Sequence, residues 1–228
     1  MPQDEKEKLV RYIGTNKACY VLGADTEKRI IKEWIRRHSD LSISQHIELL
    51  SLLYQGESIN EISMAGELLE SLPELRKSVD PRNIDVWLSR LHGWAEVDSL
   101  CQSKFSATEL LSKWKEWKSL LTKLASDSNV HKRRASLVLL TKPVRESEDS
   151  RLADLAFTNI DRLKSERDIL ITKAISWLLR DLIKHNRQKA ERYLEKNEDA
   201  LPRVAVRECR MKLLTGRKTP ACAKKPSR

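Results

Sequence analysis

Residues that start helices recur along this chain, and they constrain its fold more than any other sequence feature. Ser58 precedes Glu61 by three residues, and Ser106 precedes Glu109 in the same way. In such a capping box the serine accepts from a backbone N–H of the first turn, and the glutamate reaches back to the serine N–H. Other candidate N-caps are Asp25 or Thr26, Ser42, Asp80 before Pro81, and Asp127 or Ser128, with Gly216 as a candidate stop. These candidate helix starts and stops predict about ten to twelve helices of roughly 8 to 18 residues.

Scarce glycine and abundant helix-forming residues favour a nearly all-helical chain. Of the 228 residues, 6 are glycine and 7 are proline, whereas 40% are hydrophobic. That hydrophobic content is enough for a core, and so little glycine is unlike the turn-rich sequence of an all-β fold. We therefore expect an all-α protein with one domain over residues 1–216 and a basic, disordered tail over residues 217–228.

The clearest helix is predicted from about Asp168 to His185. An apolar stripe at helical spacing runs through Ile171, Ile175, Leu178 and Leu182. A neighbouring face carries Lys173, Trp177, Arg180 and Lys184. A tryptophan flanked by three cations suggests a binding surface, and the alternative is a ring half-buried against an adjacent helix.

A weak internal similarity at an offset of 39 residues suggests helical repeats. It pairs Ala135, Leu139, Leu140 and Leu155 with Ala174, Leu178, Leu179 and Leu194. A period near 40 with two helices per unit is typical of HEAT-like repeats, which stack into a curved solenoid with one concave face. Four matched apolar positions also arise by chance in a leucine-rich helical chain.

The formal net charge of +10 indicates a polyanionic partner, which is either nucleic acid or an acidic membrane surface. The tail from Arg217 to Arg228 holds five Lys and Arg residues and no acidic residue. The folded body therefore carries only about half of the excess charge.

Several classes of protein are disfavoured by what the sequence lacks. The four cysteines are far apart, and no Cys/His ligand spacing, Gly-rich phosphate loop or nucleophile elbow is present. We expect no metal and no nucleotide cofactor. No apolar run approaches the roughly 20 residues that span a bilayer, and the start of the chain is acidic and polar. The sequence thus predicts a cytoplasmic protein that has no membrane partner, and we expect a monomer.

Two tryptophans, one aspartate and one arginine are the candidate functional residues. Trp94 and Asp98 are four residues apart, so on a helix they share one face. Arg134 lies in the basic run Lys132-Arg133-Arg134, and Trp177 lies on the helix described above. From spacing alone, Trp94 could equally be a core residue, Asp98 a solvated acid, and the basic run a set of phosphate contacts or solvated cations.

Four segments resemble, in order, the diagnostic segments of the AlkD-like DNA alkylation repair family. They are Leu22-Gly23-Ala24-Asp25-Thr26-Glu27-Lys28-Arg29, Gly93-Trp94-Ala95-Glu96-Val97-Asp98, Arg134-Ala135, and Lys173-Ala174-Ile175-Ser176-Trp177-Leu178-Leu179-Arg180. Each segment is moderately specific, and their order and approximate spacing agree with the family over most of the chain, from about Tyr12 to Leu214.

The resemblance implies a HEAT-like solenoid whose concave, basic face grips duplex DNA and excises cationic N3- or N7-alkylated purines without a deep base pocket. Asp98 matches the catalytic aspartate, Trp94 and Trp177 match the aromatic walls of the lesion site, and Arg134 matches a DNA-contacting arginine. Further expected DNA contacts are Lys132, Arg133, Lys173, Arg180, Thr26 and Arg29. Two features depart from the family pattern. Glu27 stands where the family has proline, and the chain starts later than full-length members. Both departures affect the expected N-terminal DNA contacts and leave the central site unchanged.

The chemistry of such a reaction agrees with a single carboxylate. An N-alkylated purine is a cation that leaves as a neutral base, so no general acid is needed. As the C1′–N bond lengthens, an ionised Asp98 would stabilise the positive sugar or orient a water. This differs from ordinary glycoside hydrolysis, where two carboxylates act because the leaving group must be protonated.

Three functions are consistent with the sequence. The leading hypothesis is a monofunctional DNA glycosylase of base excision repair, with no lysine placed for strand cleavage. The second is a non-catalytic member of the same solenoid family that binds branched or distorted DNA. The third is a helical-repeat scaffold for acidic proteins, in which Trp94 and Trp177 would be buried apart.

Overall fold

The computed structural model describes residue 8 and residues 10–20 and 22–219, and this part of the chain is almost entirely helical. Residues 10–13 are helical, and an isolated bridge pairs Ala18 with Ser58. The helices that follow are α1 (Ala24–Arg37), α2 (Ile43–Tyr54), α3 (Ile59–Ser71), α4 (Pro73–Ser78), α5 (Pro81–Leu88), α6 (Gly93–Cys101), α7 (Ala107–Ser112), α8 (Trp114–Leu124), α9 (Val130–Glu146), α10 (Ser150–Leu163), α11 (Ile169–Asn197) and α12 (Arg203–Thr215). Over the described ranges, none of these helices is long and apolar enough to cross a membrane.

The capping boxes predicted at Ser58 and Ser106 are present, and Ser42 forms a third with Gln45. Asp80 caps α5 by accepting from the Arg82 N–H, and Gly216 ends α12 with a positive φ of 72°. These starts and stops were readable from sequence because a capping bond joins residues two or three positions apart.

Two predicted caps are wrong. Helix α1 begins after Gly23 with no side-chain cap, so neither Asp25 nor Thr26 caps it. Helix α9 is capped by Asn129, whose side chain accepts from the His131 N–H. Asp127 instead accepts from the Asn129 N–H and forms the turn just before the cap.

The helix predicted from Asp168 to His185 is the first half of α11. Asp168 caps it by accepting from the Leu170 N–H at 2.8 Å. Asn186 has non-helical φ and ψ, and a second helical stretch continues to Asn197 after this kink. Helix lengths of 6 to 29 residues therefore exceed the predicted range at both ends.

The helices form two stacked layers. In the inner layer α3, α6, α9, α11 and α12 each pack against the next, and in the outer layer α2, α5, α8 and α10 do the same. The inner helices begin at residues 59, 93, 130, 169 and 203, so successive starts are 34, 37, 39 and 34 residues apart. The prediction of an all-α helical-repeat fold is confirmed, and the 39-residue offset is the step from α9 to α11.

Helices α3 and α6 approach each other closely at Gly66. A Cβ at this position would lie 2.5 Å from the carbonyl oxygen of Ser99. Ser99 also donates through its hydroxyl to the Ile62 carbonyl oxygen at 3.0 Å. Because Ser99 follows Asp98 directly, this contact fixes the position of the candidate catalytic residue relative to α3.

Candidate active site

An ion pair joins Asp98 of α6 to Arg134 of α9. The Arg134 Nε donates to Asp98 Oδ1 at 3.0 Å, and Nη2 donates to Oδ2 at 2.7 Å. Two parallel bonds of this kind fix both the position and the orientation of a carboxylate. The sequence did not reveal the pairing, because the partners are 36 residues apart on different helices.

The Asp98–Arg134 pair is withdrawn from solvent. Asp98 is 7% exposed and Arg134 is 5% exposed. Burial raises the pKa of the Asp98 carboxyl above its ordinary value, and the hydrogen bonds and charge of Arg134 oppose that rise. Arg134 is thus the group that favours the ionised form of Asp98.

Arg134 also connects the pair to α11. Its Nη1 donates to the Leu170 carbonyl oxygen at 2.8 Å, within the first turn of that helix. Asp98, Arg134 and Leu170 therefore link three consecutive inner helices. In this arrangement the guanidinium is committed to protein acceptors, which differs from the expected contact of Arg134 with the DNA backbone.

Trp94 lies at the start of α6, one turn before Asp98, and is half-buried. Its Nε1–H donates to the Tyr12 carbonyl oxygen at 2.7 Å, and the two rings meet edge to face with centroids 5.4 Å apart. Tyr12 is 70% exposed and adds an aromatic surface that sequence reasoning did not select. Only its aromatic character could have suggested it, since 82 residues separate it from Trp94.

The segment before α1 is fastened to the first turn of α6. Thr15 donates through its hydroxyl to Glu96, which is fully buried and also accepts from the His92 N–H at 2.9 Å. Gly93 has a φ of 72°, and a Cβ there would collide with the Gly14 carbonyl group. These contacts hold Tyr12 beside Trp94.

Trp177 lies on α11, two turns beyond Leu170, and is half-buried against the core. Its ring is therefore half-buried against adjacent helices, which was the alternative interpretation of the sequence. The rest of the ring reaches solvent. Lys173, one turn earlier, is exposed. Arg180, one turn later, is mostly covered and has its Nε 3.5 Å from Glu208 Oε2.

Two cations that were expected to be available for phosphates are paired within the protein. The Lys132 ammonium lies 2.6 Å from Asp85 Oδ1, and the Arg133 Nε donates to Glu166 Oε1 at 2.8 Å. Lys132 and Arg133 therefore join α9 to neighbouring elements of the protein. Its acidic partners are 47 and 33 residues away along the chain, so local sequence did not disclose them.

The N-terminal candidates lie on α1, where Arg29 is exposed and Thr26 is partly exposed. Glu27, which departs from the family pattern, is buried between them. It accepts from Asn60 Nδ2 at 2.6 Å and from the Ser63 hydroxyl at 2.7 Å. Glu27 thus joins α1 to α3, while Thr26 and Arg29 lie nearer the surface.

A pair of histidines flanks the site. His92 precedes α6 and His131 lies in the first turn of α9, with ring centroids 5.6 Å apart. Burial, with the nearby His92 and Arg134, lowers the pKa of His131, so its ring is neutral near pH 7. Among the described residues, no three His, Cys, Asp or Glu side chains are grouped so that they could hold a metal ion.

Comparison with protein families assigns the chain. The family model described as DNA alkylation repair enzyme matches residues 2–213. The chain belongs to the DNA alkylation repair family. Family membership gives it a role in the repair of alkylated DNA, and DNA as its partner.

A solved structure shares the fold of this DNA alkylation repair protein. It is described as a predicted DNA alkylation repair enzyme from Enterococcus faecalis, with a TM-score of 0.72 and 18% identity over 93% of this chain and 96% of that one. No curated protein matches the sequence.

Proposed function

We propose that this protein is a monofunctional DNA glycosylase that hydrolyses the N-glycosidic bond of cationic N3- and N7-alkylated purines in duplex DNA. The observation that supports this most is the buried Asp98 carboxylate, fixed by Arg134 one helical turn after Trp94. Arg134 in turn contacts the helix that carries Trp177.

Asp98 would act on the sugar. When the C1′–N bond breaks, its electron pair moves onto the purine ring and neutralises the positive charge there. Positive charge then develops on the sugar, where a fixed carboxylate stabilises it without reorganisation. Water forms the new C1′–O bond, and its proton passes to Asp98 or to solvent.

Arg134 would act as a positioning residue through Asp98. It supplies donors to both carboxylate oxygens and leaves their remaining lone pairs able to orient a water. Its charge also opposes the rise that burial causes in the pKa of Asp98, and so favours the ionised carboxylate. The contact of Arg134 with the DNA backbone that the resemblance implies stays a separate prediction.

The two tryptophans would select for charge. An aromatic face attracts a cation by about 0.5–2 kcal/mol, and more where water is excluded. A neutral, undamaged purine gains none of this attraction and is also the poorer leaving group. Tyr12, held against Trp94, would extend the same aromatic surface.

The substrate class can be tested with duplexes that each carry one modified base. We expect release of 7-methylguanine and 3-methyladenine, no release of the neutral base hypoxanthine, and an intact abasic strand until alkali is added. Release of neither cationic base would contradict the proposal. Strand cleavage without alkali would contradict the monofunctional mechanism. That mechanism is expected because the sequence places no lysine to act as the nucleophile in strand cleavage.

The same ion pair favours a second candidate function. A carboxylate that is 7% exposed and doubly bonded to arginine is also suited to joining two helices of a non-catalytic DNA-binding solenoid. That function predicts equal binding of methylated and unmethylated branched DNA and no base release.

A further inference from the structure

A cleft of about 990 Å³ lies between the first turn of α11 and helix α12. Arg167 and Thr172 line it from the side of α11, and Arg203 and Arg207 line it from α12. Its floor includes the buried residue Leu201. The cleft thus has an apolar floor, and its rim carries arginines together with the acidic residues Glu198 and Asp199.

The charges on this rim are available to a ligand. Arg203 and Arg207 are exposed, are four residues apart on one face of α12, and form no salt bridge or side-chain hydrogen bond with the residues that the structure describes. Arg167 is exposed and donates only to backbone carbonyls, including that of Lys164 at 3.0 Å. By contrast, Arg210 is paired with Glu198.

The cleft lies beside α11, the helix that carries Trp177. Ser176 Oγ donates to Glu208 Oε2 at 2.6 Å and so fixes α12 against α11. Ser176 directly precedes Trp177, and Thr172 directly precedes the exposed Lys173. In the order of the inner layer, α12 follows α11 directly.

We propose that this cleft binds backbone phosphates of the duplex that flanks the lesion, with Arg203 and Arg207 as the two main contacts. The proposal rests on the proposed glycosylase function for the position of the lesion. Two exposed guanidiniums match phosphate oxygens and carry no base specificity. The inner helices α6, α9, α11 and α12 span three packing steps of about 8–10 Å. At about 3.4 Å per base pair, the contact falls roughly 7–9 base pairs from the lesion, on one side.

The test is duplex binding by the double variant Arg203→Gln/Arg207→Gln of the full chain. The probe is a duplex with one 7-methylguanine and 12 base pairs on each side, titrated at several salt concentrations. We expect affinity at low salt to fall on the order of tenfold and the slope of log K against log salt to become less steep by about 2. The rate of base release at saturating DNA should be unchanged, because neither arginine contacts the site.

The matched control is Lys115→Gln/Lys118→Gln, which removes the same charge from two exposed residues of the outer helix α8. It should leave affinity and salt slope near those of the unmodified protein. Equal losses in both variants would show that only net charge matters and would overturn the proposal. So would an arginine variant, folded by circular dichroism, that binds with unchanged affinity and slope.

Shortened duplexes locate the contact. With one flank cut to 4 base pairs, the difference between the unmodified protein and the arginine variant should vanish. Cutting the other flank should preserve it, and a difference that survives both truncations would overturn the assigned position. If the unmodified protein releases no base but these binding differences hold, the glycosylase function fails while the phosphate contact stands.

Discussion

At the scale of single residues, the central feature is a carboxylate that water scarcely reaches. Asp98 is useful to the proposed reaction only when ionised, yet its burial favours the neutral form. Arg134 opposes this effect of burial because its charge and two hydrogen bonds stabilise the anion. The pair thus couples the protonation of the site to the packing of α6 against α9.

The pH dependence of base release follows from this coupling. Since the folded-state pKa of Asp98 lies above its ordinary value, activity should be lost as pH falls through that raised pKa. The contribution of Asp98 to the free energy of unfolding changes with pH in the opposite sense. It is full below the unfolded-state pKa of about 3.9 and is lost as pH rises through the folded-state pKa.

Replacing Arg134 should move that pH profile. In Arg134→Gln the acid limb of single-turnover base release should lie at higher pH than in the unmodified protein, because the opposing charge is gone. Arg134→Lys keeps the charge but loses the two-pronged geometry, so its limb should move less while its maximal rate still falls. An unchanged limb in a folded Arg134→Gln protein would contradict the positioning role.

Trp177 should contribute through its aromatic face. Trp177→Phe retains a ring and should release 7-methylguanine at close to the unmodified rate. Trp177→Ala should lose about 2- to 30-fold at saturating DNA if its ring faces the positive charge that develops on the sugar, since such a cation–π attraction is about 0.5–2 kcal/mol. Thermal melts must accompany the assay because the ring also packs on the core. Equal rates for folded Ala and Phe variants would exclude this role.

At the scale of helices, the site depends on how closely α3 and α6 pack. Gly66→Ala places a methyl group 2.5 Å from the Ser99 carbonyl oxygen, which must move together with α6. We expect a loss of about 1–3 kcal/mol in the free energy of unfolding in urea, with slower base release. Gly23→Ala is the control, since no atom lies within 4 Å of its added Cβ. Similar stability of the two variants would show that α6 is not held by this contact.

Sequence predicted the helix ends far better than the contacts between helices. Capping boxes at Ser58 and Ser106 are local and were found, as was the start of α11 at Asp168. The pairing of Asp98 with Arg134 depends on how two helices stack, and nothing near either residue encodes it. The kink at Asn186 likewise has no proline or glycine to mark it.

At the scale of the whole molecule, a stack of inner helices presents the site and the arginine cleft on adjoining elements. The sequence predicted the helical-repeat fold from helix caps and the spacing of apolar residues. It indicated the family through four short segments in the same order. It did not disclose that Lys132 and Arg133 are paired within the protein, since their acidic partners come from distant helices. The predicted tail lies mostly outside the described residues.

The central claim is that Asp98 acts in the chemical step. The most direct measurement is the single-turnover rate of 7-methylguanine release at saturating duplex, for the unmodified protein and for Asp98→Asn. We predict a loss of about 10²–10³-fold with duplex affinity retained. The double variant Asp98→Asn/Arg134→Gln leaves no unpaired buried charge and should show the same loss. It is the control for misfolding of the single variant, in which the buried Arg134 charge has no partner. A folded, DNA-bound Asp98→Asn protein that releases the base at the unmodified rate would contradict the account.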